Sequence, residues 1–537
     1  MTKEETLELA LASMTKVNEQ QSRQLEVQSK QLAEMSQRIN ELMAQIAYFQ
    51  RQMFGRKSEK HPYLDCQPGL FDGMEETLVS ETTPQPESAE TVVKEHTRKK
   101  KAAPDEEWVK KLPILVTITY EPEEGVDLSR YRKIGEEVTY TAEFKPGKCY
   151  RTAHVRPKYG LIDSMEAVEQ GKGVLIAPMP KLPIYKGIAG ASLLAEIVLQ
   201  KYEYHMPFYR QIKQFAHLGM TGLKEPTMTG WFRRTMELLR PLYNALIAEI
   251  FRYDYCQADE TTTPVMNKAS HKTDKEYLWM VRAVMEGLVA FFYDEGSRAG
   301  QVIKDLTDAH DFKGYLQCDG FTGYTAAYKP GSGVTLINCM VHIRRYFEHA
   351  LDENRKPASW FIRKIQELYR IEHECDKAGM TYDQRRDERL SRSKPILDEM
   401  KQWMENEGIH YSENTLLGKA VTYAYNRWPN MMNYLKDGRI LLDNNFAEQE
   451  IRPITLGRKN YLFCGNHEAA RDMCVVVSLL NTCRNHHVNP RLYLNDVIER
   501  MPYWEKATPE EMIDLLPHRW KLRHPEAILP DIRQMAK

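Results

Sequence analysis

A multidomain α/β protein is what this sequence predicts, on three observations. The first ~54 residues contain neither glycine nor proline and repeat apolar residues at heptad spacing. From about residue 251 come five short apolar runs with strand character, the later ones alternating with helical patterns. Three acids, Asp259, Asp319 and Glu448, stand at the ends or starts of such elements. The predicted order is an N-terminal coiled coil, a small β domain, a helix-turn-helix, and a ribonuclease H-like core with a helical insertion.

At 537 residues the chain has room for several domains of ~100–200 residues each. Its formal net charge is −1, so any claim on a polyanion rests on local clusters and not on a global basic field. The 9 cysteines are scattered without a CxxC pair, which predicts a reduced, cytosolic protein with no disulfide framework. No apolar run is long enough for a membrane span, and the polar N-terminus is no signal peptide.

Residues 1–54 place Leu25, Leu32, Ile39, Ile46 and Met53 in one column and Met35, Leu42 and Phe49 in the other. Asn18, Gln21 and Gln28 weaken the first half or set its register. A coiled coil that oligomerises the protein is expected; one amphipathic helix packed on its own domain is the plainer alternative. Residues 55–110 start with a basic patch, Arg56, Lys57 and Lys60, and continue as a Glu-, Thr-, Pro- and Ser-rich linker. The linker closes with Arg98-Lys99-Lys100-Lys101, either a phosphate contact or a solvated charge run.

A small β domain is expected over 111–185, from alternating runs such as Ile114–Tyr120 and Glu137–Ala142. Residues 186–250 read as helical. Pro207 opens one helix, Gly219 breaks it, and Pro226 opens the next, which carries Arg233 and Arg234. Two short helices about a glycine turn suit a helix-turn-helix that enters a DNA groove; an ordinary helical hairpin has the same spacing.

The catalytic core is expected in 251–351 and 443–490. Its strands are Tyr253–Asp259, Glu276–Val284, Leu288–Asp294, Gly314–Asp319 and Val334–Cys339, with helices at Gln301–Thr307 and His342–Leu351. Three strands in sequence, then strands alternating with helices, is the order of a ribonuclease H-like fold. There the first strand is central and the fourth lies beside it, which makes Asp259 and Asp319 neighbours. Residues 352–442, with the stripe Trp360, Ile365, Leu368 and Tyr369, form the helical insertion, and 491–537 a helical tail.

Three carboxylates brought together repel unless a cation joins them or some stay protonated. Such a cluster suits hard, oxygen-seeking Mg²⁺ or Mn²⁺, and two such ions can activate one oxygen and stabilise another in phosphoryl transfer. Each acid has a rival. Glu260 follows Asp259 but faces the other way along a strand. Asp443 is a helix-entry residue, with Asn444 or Asn445 as cap. With Asn445 as cap, Glu448 takes the third helical position and could close a capping box. Arg452 shares the face of Glu448 and either pairs with it or meets a phosphate. Pro453 should bend or stop that helix. Arg458 and Lys459 are candidate phosphate contacts. His342 and Arg345 follow the fifth strand toward the acids. Cys339 and His342 have half a zinc spacing and no second pair.

These motifs together resemble the IS-sixty-six family of transposases. The resemblance rests on Ala258-Asp259-Glu260-Thr261, Gln317–Tyr324, Cys339–Phe347 and Asp443–Glu448. Arg452-Pro453, Gly457–Phe463, Phe54–Lys60, Lys201-Tyr202 with His205–Gln211, and Tyr493–Pro502 extend it over nearly the whole chain. It implies a DDE transposase of a bacterial insertion sequence, cytoplasmic and nucleoid-associated. The catalytic and metal-binding triad would be Asp259, Asp319 and Glu448. DNA contacts would be Arg56, Lys57, Lys60, Arg233, Arg234, Arg345, Arg452, Arg458 and Lys459. Partners would be transposon ends, target DNA, a second copy of the chain, and small accessory proteins of the same element. Many members pair cysteines before the helix-turn-helix to bind zinc; here Cys149 stands alone, so no zinc is expected in this degenerate segment. The alternatives are a non-catalytic DNA-binding relative and a ribonuclease H-type nuclease that never joins strands.

Overall fold

The computed structural model describes residues 181–185, 187–329 and 331–530, preceded by Gly147, Cys149 and the backbone of two short strands. The coiled coil, the linker, Arg56, Lys57, Lys60, the basic tetrad and the strands Ile114–Tyr120 and Glu137–Ala142 lie outside the described residues. From the expected small β domain, β1 (Lys158–Gly160) and β2 (Val174–Ile176) pair antiparallel. No described helix is long and apolar enough to cross a membrane. Every described cysteine is free, and all except Cys149 are buried.

The chain divides into two compact units. The first contains Leu246–Thr262 and Lys275–Arg452. Its centre is a five-stranded sheet of β3 (Tyr255–Asn267), β4 (Lys272–Ala283), β5 (Leu288–Phe292), β6 (Gly314–Cys318) and β7 (Val334–Asn338). The strand order is β5-β4-β3-β6-β7. β4 and β5 run antiparallel, whereas β3–β6 and β6–β7 are parallel pairs. Leu288–Phe292 is buried at every position, which is why these strands read as unbroken apolar runs without alternation. β3 and β4 run further than their expected ends at Asp259 and Glu276, the β-branched run Thr261-Thr262-Thr263 keeping the first extended.

Helices α4 (Gly300–Ala309), α5 (Thr322–Ala327) and α6 (Met340–Ala350) connect or follow these strands. Then come α7 (Arg355–Lys377), α8 (Tyr382–Glu388), a π-helical turn at Arg389–Ser393, α9 (Lys394–Asn406) and α10 (Leu416–Met431). They share one core with α6: Phe347 stacks on Phe361 at 3.8 Å, and Ile365, Leu368, Met400 and Trp428 are buried around them. Within the expected stripe, Ile365 and Leu368 are fully buried while Trp360 and Tyr369 lie at the core's edge. The π turn holds Arg389 wholly buried, where it donates to both Glu372 oxygens (2.8 and 2.7 Å) and to the carbonyls of Tyr434 and Asp437. So many partners offset the desolvation of a buried cation.

The second unit takes in the described residues up to Ala245, Thr263–Asp274, and the chain from Pro453. It carries α1 (Ala191–Tyr202), α2 (Phe208–His217), most of α3 (Glu225–Ile250), and after α11 (Asn445–Tyr461) come α12 (His467–Asn485) and α13 (Pro490–Arg500). Gly219, at φ +91°, breaks the chain after α2 as expected for a left-handed turn residue. α3 is not the short second helix of the expected pair. It runs 26 residues, because Met228, Phe232, Met236, Leu239, Leu242, Leu246 and Ile250 keep one apolar face buried to its end. Pro453 likewise fails to stop α11. It removes one helical hydrogen bond, but Ile451 and Ile454 on either side are anchored by burial.

Candidate active site

Parallel pairing builds the first half of the site. Gln257 is in register with Gln317, and Asp259 and Asp319 each follow two residues further along the chain. Residues two apart share a sheet face, so each glutamine lies beneath its own aspartate. The two glutamines are fully buried and bonded to each other, Gln257 Nε2 donating to Gln317 Oε1 at 2.8 Å. Tyr255 donates its hydroxyl to the same oxygen at 2.6 Å. Gln317 Nε2 donates to the Leu441 carbonyl (2.8 Å), and Gln257 Nε2 to the Asp443 carbonyl (3.1 Å). One buried polar network thus ties both strands to the segment that leads into α11.

The turn after β6 fixes the second acid. Asp319 Oδ1 accepts the Phe321 N–H at 2.8 Å, and Gly320 sits between them at φ +92°. Two side chains of α10 clamp this turn: the Tyr423 hydroxyl donates to the Asp319 carbonyl (2.8 Å), and Arg427 donates twice to the Gly320 carbonyl (3.0 and 2.8 Å). A Cβ on Gly320 would stand 2.6 Å from Arg427 Nε. Asp259 Oδ1 accepts the Glu260 N–H at 2.8 Å. Burial holds the Asp259 carboxyl well above the usual carboxylate range, and the charges of Asp319, Glu260 and Glu448 push it the same way. Asp259 thus lies within electrostatic reach of both other predicted acids.

Glu448 arrives from α11. Its helix is anchored by a buried ion pair between Arg282 of β4 and Glu450, the guanidinium lying 4.7 Å over the Phe446 ring. Glu448 Oε2 accepts from Arg345 at 2.8 Å, and His342 Nε2 is 3.6 Å from Oε1. Oε1 is itself buried without a hydrogen-bond partner. Burial lowers the His342 pKa, so a neutral imidazole faces this acid. His342 and Arg345, expected toward the acids, therefore both meet Glu448.

The capping-box reading of Glu448 does not hold. The helix starts at Asn445, which puts Glu448 fourth, and its carboxylate turns to Arg345. The Asn445 N–H is taken by Asp443 Oδ1 (3.0 Å), while both Asn444 side-chain polar atoms are buried without partners. Asp443 thus performs the capping expected of an asparagine. Its other oxygen accepts from Tyr369 at 2.6 Å. Glu260, the rival of Asp259, has a side chain only 3% exposed and bound by Arg298 at 2.8 and 3.1 Å, with the Tyr324 hydroxyl at 3.3 Å. Cys339 is buried and accepts the Asn444 N–H through sulfur.

Among the predicted DNA contacts, Arg345 lies at the site. Arg233 is engaged by Glu237 and Glu468 at 3.3 and 2.9 Å. Arg234, Arg452 and Lys459 are exposed and Arg458 half-buried. Gln257, Gln317, Arg298, Tyr423 and Arg427 were not anticipated. The glutamines had a signal, the repeated Gln-x-Asp of Gln257-Ala258-Asp259 and Gln317-Cys318-Asp319. Among the described residues, no three His, Cys, Asp or Glu are gathered tightly enough to hold a metal ion. The donors nonetheless have the right chemistry. Two carboxylates each stand two residues past a paired glutamine, and a third has one unpartnered buried oxygen and one held by a cation.

A family model described as "Transposase IS66 family" matches residues 186–472, which takes in all of these acids. The chain belongs to the IS66 family of transposases. Two further models match, "IS66 C-terminal element" over 478–518 and "Transposase C of IS166 homeodomain" over 41–113. Relatives of this IS66 family member include three uncharacterized proteins of Sinorhizobium fredii. The protein y4jD is 29% identical over 499 residues, covering 89% of this chain and 94% of its own length. The protein y4hP is 28% identical over 413 residues (73% and 72%), and y4qI is 30% identical over 424 residues (76% and 75%).

Proposed function

We propose that this IS66 family member is a DDE transposase that cuts DNA at the ends of an insertion sequence and joins the freed 3′-OH to target DNA. The observation that supports the reading is the parallel β3–β6 pairing, whose Gln257 and Gln317, each two residues before a predicted acid, share a buried network with the segment leading to Glu448. The strand order, with the first strand central and the fourth beside it, supports a ribonuclease H-like core.

Asp259, Asp319 and Glu448 would hold divalent cations, Mg²⁺ or Mn²⁺. Such ions supply charge stabilisation for an attacking and a departing oxygen in phosphodiester displacement. The chain's own residues do the positioning. The glutamine network joins the two strands that lead to the acids, and Tyr423 and Arg427 fix the turn that carries Asp319. Arg345 neutralises Glu448 and offers a guanidinium to a phosphate that takes its place. Water and then the 3′-OH serve as nucleophiles, so no protein side chain need form a bond to DNA. Arg234, Arg452, Arg458 and Lys459 are proposed backbone contacts, positioning DNA without reading its bases. The N-terminal heptads would bring two copies together, one for each transposon end.

The test is cleavage and joining on DNA carrying the element's own ends, with Mg²⁺ or Mn²⁺, for the intact protein and Asp319→Asn. Metal-dependent cutting and joining, reduced at least about a thousandfold by the substitution, is expected. Cleavage without joining would favour a nuclease. DNA binding with no metal-dependent chemistry would favour a non-catalytic relative.

A further inference from the structure

Three side chains on two helices of the first unit form a stack that ends at the surface. Tyr346 of α6 lies face to face with Tyr423 of α10, centroids 4.0 Å apart and planes within 17°. The Arg427 guanidinium carbon is 3.7 Å from the same Tyr423 centroid. Two groups that close to one ring centre must take its opposite faces. The order is therefore Arg427, Tyr423, Tyr346, with Tyr346 outermost. Tyr346 is 42% exposed.

The inner layers are tied to the acids. Tyr423 and Arg427 donate to the Asp319 and Gly320 carbonyls, and Tyr346 adjoins Arg345, which holds Glu448. A lone exposed aromatic needs no explanation. Here a pre-aligned ring is backed by a second ring and a cation, so its orientation is fixed before anything binds. An aromatic face held ready in this way suits a nucleobase, because every base has a π-face. Inside a duplex those faces are covered by neighbouring base pairs, so away from a helix end only an unpaired base presents one.

We propose that Tyr346 is a stacking site for an unpaired nucleobase of the DNA strand engaged at the acids. The proposal rests on the transposase reading and adds to it a demand on DNA conformation: the strand must be frayed, flipped or single-stranded next to the cut. Tyr346 binds, and Tyr423 with Arg427 acts through it as a positioning pair.

The probe is a short duplex with a single-stranded overhang carrying 5-iododeoxyuridine, compared with a blunt duplex of the same sequence, without divalent metal. Binding is followed by anisotropy and the photo-adduct mapped by peptide mass spectrometry. The adduct is expected on Tyr346. Tyr346→Leu should lose it and bind the overhang duplex roughly tenfold more weakly, with blunt duplex unaffected. Tyr346→Trp should restore both. Wild-type binding to both duplexes without an adduct on Tyr346 would overturn the stacking site and leave the transposase reading standing. So would overhang affinity in Tyr346→Leu equal to wild type. If the wild type binds neither duplex, both proposals fall.

Discussion

The strand acids and the helix acid are held in different ways. Asp259 stands on β3 and Asp319 just past the end of the parallel β6, the two strands are joined by buried amides, and the Asp319 turn is clamped through its own carbonyls. Backbone sets where they are. Glu448 sits on a helix anchored two residues further on by Arg282 and Glu450, and its carboxylate is held by Arg345, whose side chain is 46% exposed. An ion pair that open to solvent is worth little and is readily exchanged. The difference teaches that two acids of the proposed site are set by backbone, while the third is placed by a solvent-exposed, exchangeable ion pair.

Four substitutions test that contrast. Gln317→Leu attacks the prebuilt half. It takes one partner each from the Gln257 amide, the Tyr255 hydroxyl and the Leu441 carbonyl, and should cost about 2–4 kcal/mol in urea unfolding. A loss below about 0.5 kcal/mol would mean that the amide network does not hold the register. Next comes a change of opposite sign. Asp259 is buried beside like charges, so Asp259→Asn should raise the metal-free melting temperature by a few degrees at neutral pH, whereas Glu448→Gln should leave it level or slightly lower. The linkage has a definite direction. An acid whose folded pKa is raised binds more protons folded than unfolded, so its contribution falls as pH climbs above the ordinary value of 3.8. The metal-free wild type should therefore lose stability with rising pH more steeply than Asp259→Asn. Parallel curves would remove Asp259 as the strained member. The smallest effect is expected from Arg345→Gln, which frees Glu448 and should tighten Mn²⁺ binding by roughly two- to fivefold, read by titration calorimetry. Weaker binding would show that Arg345 orients Glu448 for the ion and does not compete with it.

The five strands were legible because strands buried on both faces are near-continuous apolar runs, and those leave few alternatives. Asp259 and Asp319 followed from the same runs, each standing at the polar end of one. Their supports were harder to read. A glutamine in an apolar run looks like a strand's exposed position, and only the repeat of Gln-x-Asp hints that two amides face each other. Arg298 reaches Glu260 from 38 residues away, and Tyr423 and Arg427 reach the Asp319 turn from 104 and 107. No local pattern marks a partner at such distances. The α11 entry was misread for a related reason. Asn444 is a favoured cap by type, but it is buried and Asp443 carries out the capping. α3 ran longer than the short helix expected, and α11 ran past Pro453, because buried apolar faces hold both together.

The amide pair under the acids also acts as an error check on folding. Were β3 to slip by one residue against β6, Gln257 would lie opposite Leu316 or Cys318, and both amides would be sealed in the core unpaired. The same slip would separate Asp259 from Asp319. A misaligned site and an unstable sheet are thus one defect, and a chain that reaches its folded state has already verified the alignment of two of its three acids.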